Sequence, residues 1–127
     1  MKVEPEAVVR EFWRLIATND FGSVKSVLAA EFVMEWPQSG ERIRGADNFA
    51  RMNGEYPTQG AWQFTVNRLV AQGSFVVTQV SVSDGTLAAE AISFFTVERG
   101  EITKLVEYWP EPFEAQANRR HLVELME

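Results

Sequence analysis

The sequence predicts an α+β fold in which helices pack on one face of a curved, mainly antiparallel sheet. Two observations carry that expectation. In the first part of the chain apolar residues recur every three or four positions, whereas from Ala61 onward they recur every second position. Three tight-turn tripeptides, "QGS", "SDG" and "ERG", then cut the second part into consecutive strands. No repeat or linker interrupts the pattern, so one domain is expected, with a core from about residue 5 to 110 and a tail over 111–127.

The elements follow in order. Pro5 suits a first helical turn, with Glu4 and Glu6 at its positive end, and Val8, Val9, Phe12, Trp13, Ile16 and Ala17 form one broad apolar stripe, predicting a helix from Pro5 to about Asn19. After "TNDFG" a second short helix is expected over roughly Ser23 to Ala30, then a strand in "EFVMEW" that stops at Pro37. "PQSG" is a turn and "ERIRG" a short strand, and a third helix runs from Ala46 or Asp47 to about Asn53. Four strands complete the pattern: Trp62 to Ala71, Phe75 to Ser83, Leu87 to Val97, and Ile102 to Trp109. Asp84-Gly85 reads as a turn with no chemistry. The tail, "PFEAQANRRHLVELME", either forms a last helix or wraps the rim.

Composition narrows the function classes. A net charge of −6, with no basic cluster denser than Arg119-Arg120-His121, argues against nucleic acid. With no cysteine, disulfides and thiolate chemistry are excluded, and a lone histidine cannot supply a paired-histidine metal site. No D/E-rich loop suits an all-carboxylate metal site, so neither metal nor other cofactor is signalled. "MKVEPEAVVREFW" carries acids where a signal peptide has its apolar run, and no stretch reaches the about 20 apolar residues of a membrane span. A cytoplasmic protein acting on a small molecule is therefore expected. Four Trp, nine Phe and two Tyr anticipate a core, pocket or interface rich in rings.

The stretch that carries chemistry is "KLVEYWPEP", Lys104 to Pro112. As a strand it places Leu105, Glu107 and Trp109 on one face, and Lys104, Val106 and Tyr108 on the other. A carboxyl between a leucine and an indole either lies on a wet face or looks into an apolar pocket. In the second case lost hydration penalises the anion and raises the pKa, the condition of a general acid or base.

The segments "FWRLIATNDFGSVKSVLAAEFVMEWP", "RIRGADNF" and "FTVERGEITKLVEYW" together resemble the nuclear transport factor 2-like superfamily, and "EYWPEPFEA.ANR" is similar to its SnoaL-like members. The resemblance implies a cone-shaped, curved, mixed or antiparallel sheet wrapped around the long N-terminal helix, a cystatin-like α+β roll, with a pocket between them. It also implies a small-molecule pocket function of ketosteroid isomerase, epoxide hydrolase, polyketide cyclase, dehydratase or binding-module type. Members of the superfamily pair through the outer sheet face, and "FVVTQVSV" and "AISFFTV", apolar on both faces in places, agree with a homodimer.

Each catalytic version can be laid on the sequence. Against the ketosteroid isomerases, the general-base aspartate falls on Trp36, the oxyanion-hole tyrosine on Phe12, and the partner carboxylic acid near Ile92, so that mechanism lacks all its groups and is rejected. Against the limonene-type epoxide hydrolases, the arginine and aspartate of one strand fall on Gln79 and Ser81, and the second aspartate on Glu107. The histidine and aspartate of the cyclases fall on Leu105 and Glu107. Only the acid at Glu107 survives. The site so implied has Glu107 as acid/base, Gln79 and Ser81 as orienting groups, and Trp36, Trp109 and Tyr56 as walls, with Phe12, Leu105, Ile92 and a second carboxylate, Glu90, beside them.

Plainer readings stand next to these. Glu107 is otherwise a ligand anchor, or an edge carboxylate satisfied by Arg68, Lys104 or a tail arginine. Gln79 and Ser81 are otherwise the polar face of a strand whose core face is Val80 and Val82. Glu90 is otherwise half-exposed, and the aromatic stripe is otherwise core. His121 belongs to a polar, surface-exposed tail.

Overall fold

A computed structural model describes residues 3–126. Helix α1, Pro5–Ile16, starts with proline in its first turn and buries Val8, Val9, Phe12, Trp13 and Ile16 along the expected stripe. It ends short of Asn19, which turns the chain at a φ of 64°. Asparagine tolerates that left-handed conformation better than most residues. Its side chain also makes two reciprocal 2.8 Å hydrogen bonds with the main chain of Trp62, tying the helix end to the start of the later sheet.

The second short helix differs from expectation. A 3-10 segment covers Phe21–Val27, and Leu28 to Ala30 already belong to strand β1, Leu28–Trp36. Leu28 is drawn into the sheet by pairing with Ile102, a partner far along the chain that no local pattern announces. Strand β2, Glu41–Arg44, and helix α2, Ala46–Glu55, follow. Four strands then form the meander: β3, Gln63–Gln72; β4, Phe75–Ser83; β5, Ala88–Glu98; and β6, Glu101–Tyr108. The β5–β6 hairpin closes through Arg99-Gly100, both at positive φ (52° and 78°), the backbone that matches strand twist in a two-residue hairpin.

The six strands lie in the order β2-β1-β6-β5-β4-β3. All neighbours are antiparallel except β1 and β6, which run parallel, so the sheet is mixed. Register shifts within β3–β4, β5–β6 and β1–β6 interrupt the ladders and bend the sheet. Its concave face receives α1, with Phe12 meeting Trp13, Phe49 and Phe95 at ring-centroid distances of 5.0, 5.8 and 5.1 Å. Helix α2 closes the side, Phe49 packing edge-on against Phe32. The α+β arrangement expected from the pattern, and the cone that the resemblance implied, are thus the observed architecture.

Beyond β6 the chain is almost wholly exposed. A 3-10 segment at Ala117–Leu122 replaces the α-helix considered for the tail. No helix among the described residues is long and apolar enough to cross a membrane.

Candidate functional site

Strand alternation decides which side chains look into the cone. On β4 the inward residues are Val76, Thr78, Val80 and Val82; on β5 they are Ala91, Ser93, Phe95 and Val97. On β6 they include Leu105 and Glu107. Thr78 is paired with Ser93, and Ser93 with Glu107, so three polar residues form one cross-strand row on an otherwise apolar floor.

Glu107 is 7% exposed. The indole N–H groups of Trp36 and Trp109 both donate to Oε1, at 3.3 and 3.1 Å, and the Ser93 hydroxyl donates to Oε2 at 3.0 Å. Two donors fill Oε1, whereas Oε2 has one partner and keeps a position for the acid proton or a ligand hydrogen bond. Among the described residues no cation pairs with the carboxyl: Lys104 turns outward to Glu35 at 3.4 Å, and Arg42 holds that same glutamate at 2.8 Å. Burial pushes the Glu107 carboxyl above the usual range, against the downward pull of the hydrogen bonds from Trp36, Ser93 and Trp109. The neutral donors ease the anion's desolvation without cancelling it. Further along the row, Trp13 Nε1 donates to Thr78 Oγ1 at 3.2 Å.

Glu107 forms part of the wall of a cavity of about 410 Å³ between α1, α2 and the sheet. Phe12, Trp13, Phe49 and Phe64 line its interior, and Trp36 and Trp109 flank the carboxyl. Tyr56 and Trp62, packed edge-to-face at 6.0 Å, stand toward the mouth with Leu87. Glu41, Glu111, Gln38 and Asn53 supply most of the remaining polar lining. Asp84 fastens the mouth: it accepts main-chain N–H bonds from Gln59, Thr86 and Leu87 at 2.9, 2.9 and 2.6 Å, joining the loop after α2 to the β4–β5 turn. Those bonds hold its carboxyl down at about 2. The turn assigned no chemistry is thus a clasp for the cavity entrance.

Among the residues expected at the site, Glu107, Trp36, Trp109, Tyr56 and Phe12 come together at this cavity. Leu105 lies on the same strand face but is wholly buried in the core. Gln79, Ser81, Glu90 and Ile92 do not belong to the cavity; they point from the convex side of β4 and β5. Gln79 donates to Glu90 at 2.6 Å, and Ser81 accepts from Asn67 at 2.7 Å. The expectation that Gln79 and Ser81 orient a ligand beside Glu107 is therefore corrected, because the residues of β4 that look inward are Thr78 and Val80. The arginine partners considered for Glu107 are replaced by two indoles and a serine. Ser93 was missed; as the cross-strand partner of Glu107 it is visible only once the β5–β6 register is known.

A second, more open depression of about 520 Å³ lies against β2 and the outer side of α2, where Arg42, Arg44 and Arg51 meet. Arg42 is committed to Glu35 and Arg51 to Glu55, and Ile43, Met52, Tyr56 and Pro57 supply the apolar lining. No group of acidic or histidine residues suited to holding a metal ion occurs among the described residues.

A bent mixed sheet closed by a long N-terminal helix is the fold of the nuclear transport factor 2-like proteins. Within them the sequence matches the SnoaL-like domain over residues 9–105, and the chain belongs to that family. A Kribbella flavida structure described as a candidate ketosteroid isomerase is similar at 32% identity, over 97% of this chain and 90% of that one, with a TM-score of 0.88. A Burkholderia xenovorans protein, nuclear transport factor 2-like and of unknown function, is 26% identical over 97% of this chain and 95% of its own, with a TM-score of 0.79. An LEH-like epoxide hydrolase of M. tuberculosis shares the fold at 24% identity, over 86% and 84% of the two chains, with a TM-score of 0.69. A comparison with curated proteins gives no match.

Proposed function

We propose that the cavity binds a small, largely apolar, oxygen-bearing molecule and that Glu107 moves a proton on it without a cofactor, in a reaction of isomerase, cyclase, dehydratase or hydrolase type. One observation carries this reading: the buried ionisable group of the aromatic cavity is the Glu107 carboxyl, held by neutral donors with no counter-cation among the described residues. Burial pushes such a carboxyl above the usual range, which suits it to hold a proton and to give it to an oxygen brought against it. The cavity volume of about 410 Å³ lies in the range of small-molecule sites. The Kribbella flavida relative is described as a candidate ketosteroid isomerase, but Phe12 and Trp36 stand where that mechanism needs a phenol and a base. Steroid isomerisation is therefore not the reaction proposed.

Among the described residues no second acid or base is hydrogen-bonded to Glu107, which favours a further reading, a non-catalytic pocket for the same kind of ligand. In both readings the protein works as a homodimer joined by the convex sheet face, where Phe94 and Tyr108 are 43% and 36% exposed.

The deciding experiment is a carboxyl-carbon NMR titration, with Glu107→Gln to assign the signal, followed by carbonyl, epoxide and alcohol substrates. An elevated pKa and turnover lost in Glu107→Gln with binding retained support proton transfer. A value near the ordinary ~4.3 removes the acid/base role. Binding without turnover in the wild type leaves the pocket as a receptor.

A further inference from the structure

The ionisable groups around the cavity are of one kind. Glu107 lies within it, Glu41 and Glu111 line it beside the exit, and Tyr56 stands nearby. No lysine, arginine or histidine lines it among the described residues. The rest of the wall is largely rings, including Phe12, Trp13, Phe49, Trp62 and Phe64. Ring faces carry the negative end of the aromatic quadrupole and attract cations, most strongly where water is scarce.

Several of the fixed donors, by contrast, are already engaged. Trp36, Trp109 and Ser93 donate to Glu107, Trp13 donates to Thr78, and the Asn53 amide donates to the Phe49 carbonyl at 2.9 Å. A bound oxyanion would find ring faces and carboxylates opposite it, with only the neutral groups of Gln38, Tyr56 and Trp62 left among the described residues to donate to it. Positive charge would find two kinds of partner.

We propose that the cavity is built to receive positive charge: it selects substrates that become cationic once Glu107 protonates their oxygen, it holds organic ammonium ions as mimics of that state, and it turns away carboxylates and phosphates. This deepens, and rests on, the reading that the cavity takes a small oxygen-bearing molecule. Dehydration of an alcohol is the simplest reaction that fits a lone carboxyl. The O–H bond of Glu107 breaks and its proton joins the hydroxyl oxygen. The C–O bond then breaks with its electron pair leaving on water, and the carbon cation faces the rings. The Glu107 carboxylate takes a proton from the adjacent carbon, whose C–H pair becomes the C=C bond. Water is lost and the acid is restored.

The groups around the carboxyl from β1, β5 and the end of β6 are Trp36, Ser93 and Trp109, none of which changes charge between pH 5 and 8. A cation favours the Glu107 anion, so its affinity should rise with pH through the titration of that group and then level off.

Three soluble probes of one shape test this on the full chain: choline, its neutral isostere 3,3-dimethylbutan-1-ol, and 3,3-dimethylbutanoate. Calorimetry from pH 5 to 8 should show choline binding about tenfold tighter than the alcohol, with no detectable binding of the acid. The rise of choline affinity with pH should vanish in Glu107→Gln, and Trp62→Leu should weaken choline more than the alcohol. Alcohol binding as tightly as choline, or a choline affinity flat with pH in the wild type, overturns the charge preference while leaving the pocket reading intact. Failure of all three probes overturns both.

Discussion

Ser93 and Glu107 face each other across β5 and β6, and the serine hydroxyl donates to the carboxyl Oε2 at 3.0 Å from a position with no solvent exposure. That bond favours the charged form of the acid, so its loss has a definite sign. Ser93→Ala should push the Glu107 pKa further up and cost about 1 kcal/mol of stability. Carboxyl-carbon titration reads the first and urea unfolding the second. An unmoved pKa would mean that burial and the two indoles set it without the serine.

Glu107 itself should make the protein less stable as pH rises. Its folded pKa lies above the unfolded value of ~4.3, so the contribution of the protonated carboxyl is fully present below that value. It is lost as pH climbs through the folded pKa. Glu107→Gln keeps an acceptor for the indoles and a donor for Ser93 but never ionises. Its unfolding free energy should exceed that of the wild type by on the order of 1 kcal/mol at pH 8, with the gap closing toward pH 4. Parallel denaturation curves across that range test the sign.

These two residues also mark where sequence reasoning succeeds and stops. Glu107 stood out because Leu105 and Trp109 share its face, an alternation that survives any choice of partner strand. The β4 limits at Phe75 and Ser83 were equally legible, since turn residues bound them on both sides. Leu28 was misread as helical because its place is set by a parallel pairing with β6, a contact between distant segments. Gln79, Ser81, Glu90 and Ile92 were turned to the wrong side for a related reason. Both faces of β4 and β5 carry apolar residues, so alternation cannot say which one looks inward. Only the closed cone settles it, placing Ser93 beside Glu107 and Phe94 outside.

Asp84 sets the opposite pH dependence. Three main-chain N–H groups hold its carboxyl at about 2, below the unfolded ~3.9. Its contribution is therefore present above that unfolded value and lost as pH falls from there toward 2. Asp84→Ala should release the clasp between the loop after α2 and the β4–β5 turn, with hydrogen exchange at Gln59, Thr86 and Leu87 accelerating at neutral pH. Exchange as slow as in the wild type at those three amides would show that the strands hold the entrance without it.

The convex face yields the last prediction. Val77, Phe94 and Val106 form one cross-strand row, flanked on one side by Gln79, Ile92 and Tyr108 and on the other by Phe75, Thr96 and Lys104. Phe94 meets Tyr108 edge-on at 5.9 Å, and Phe75 is 61% exposed. The row is apolar at its centre, with the Gln79–Glu90 hydrogen bond and Lys104 toward its margin, the arrangement expected of an interface rather than of a wet sheet face. Two copies meeting through it would place Phe94 near the middle of the contact. Phe94→Glu would then bury a carboxylate against its own copy, a cost of several kcal/mol to association. Sedimentation at micromolar concentration should give a dimer for the wild type and a monomer for Phe94→Glu. Because Phe94 points away from the cavity, the Glu107 titration should change little between the two. A wild type that sediments as a monomer removes the dimer and leaves this face to another partner.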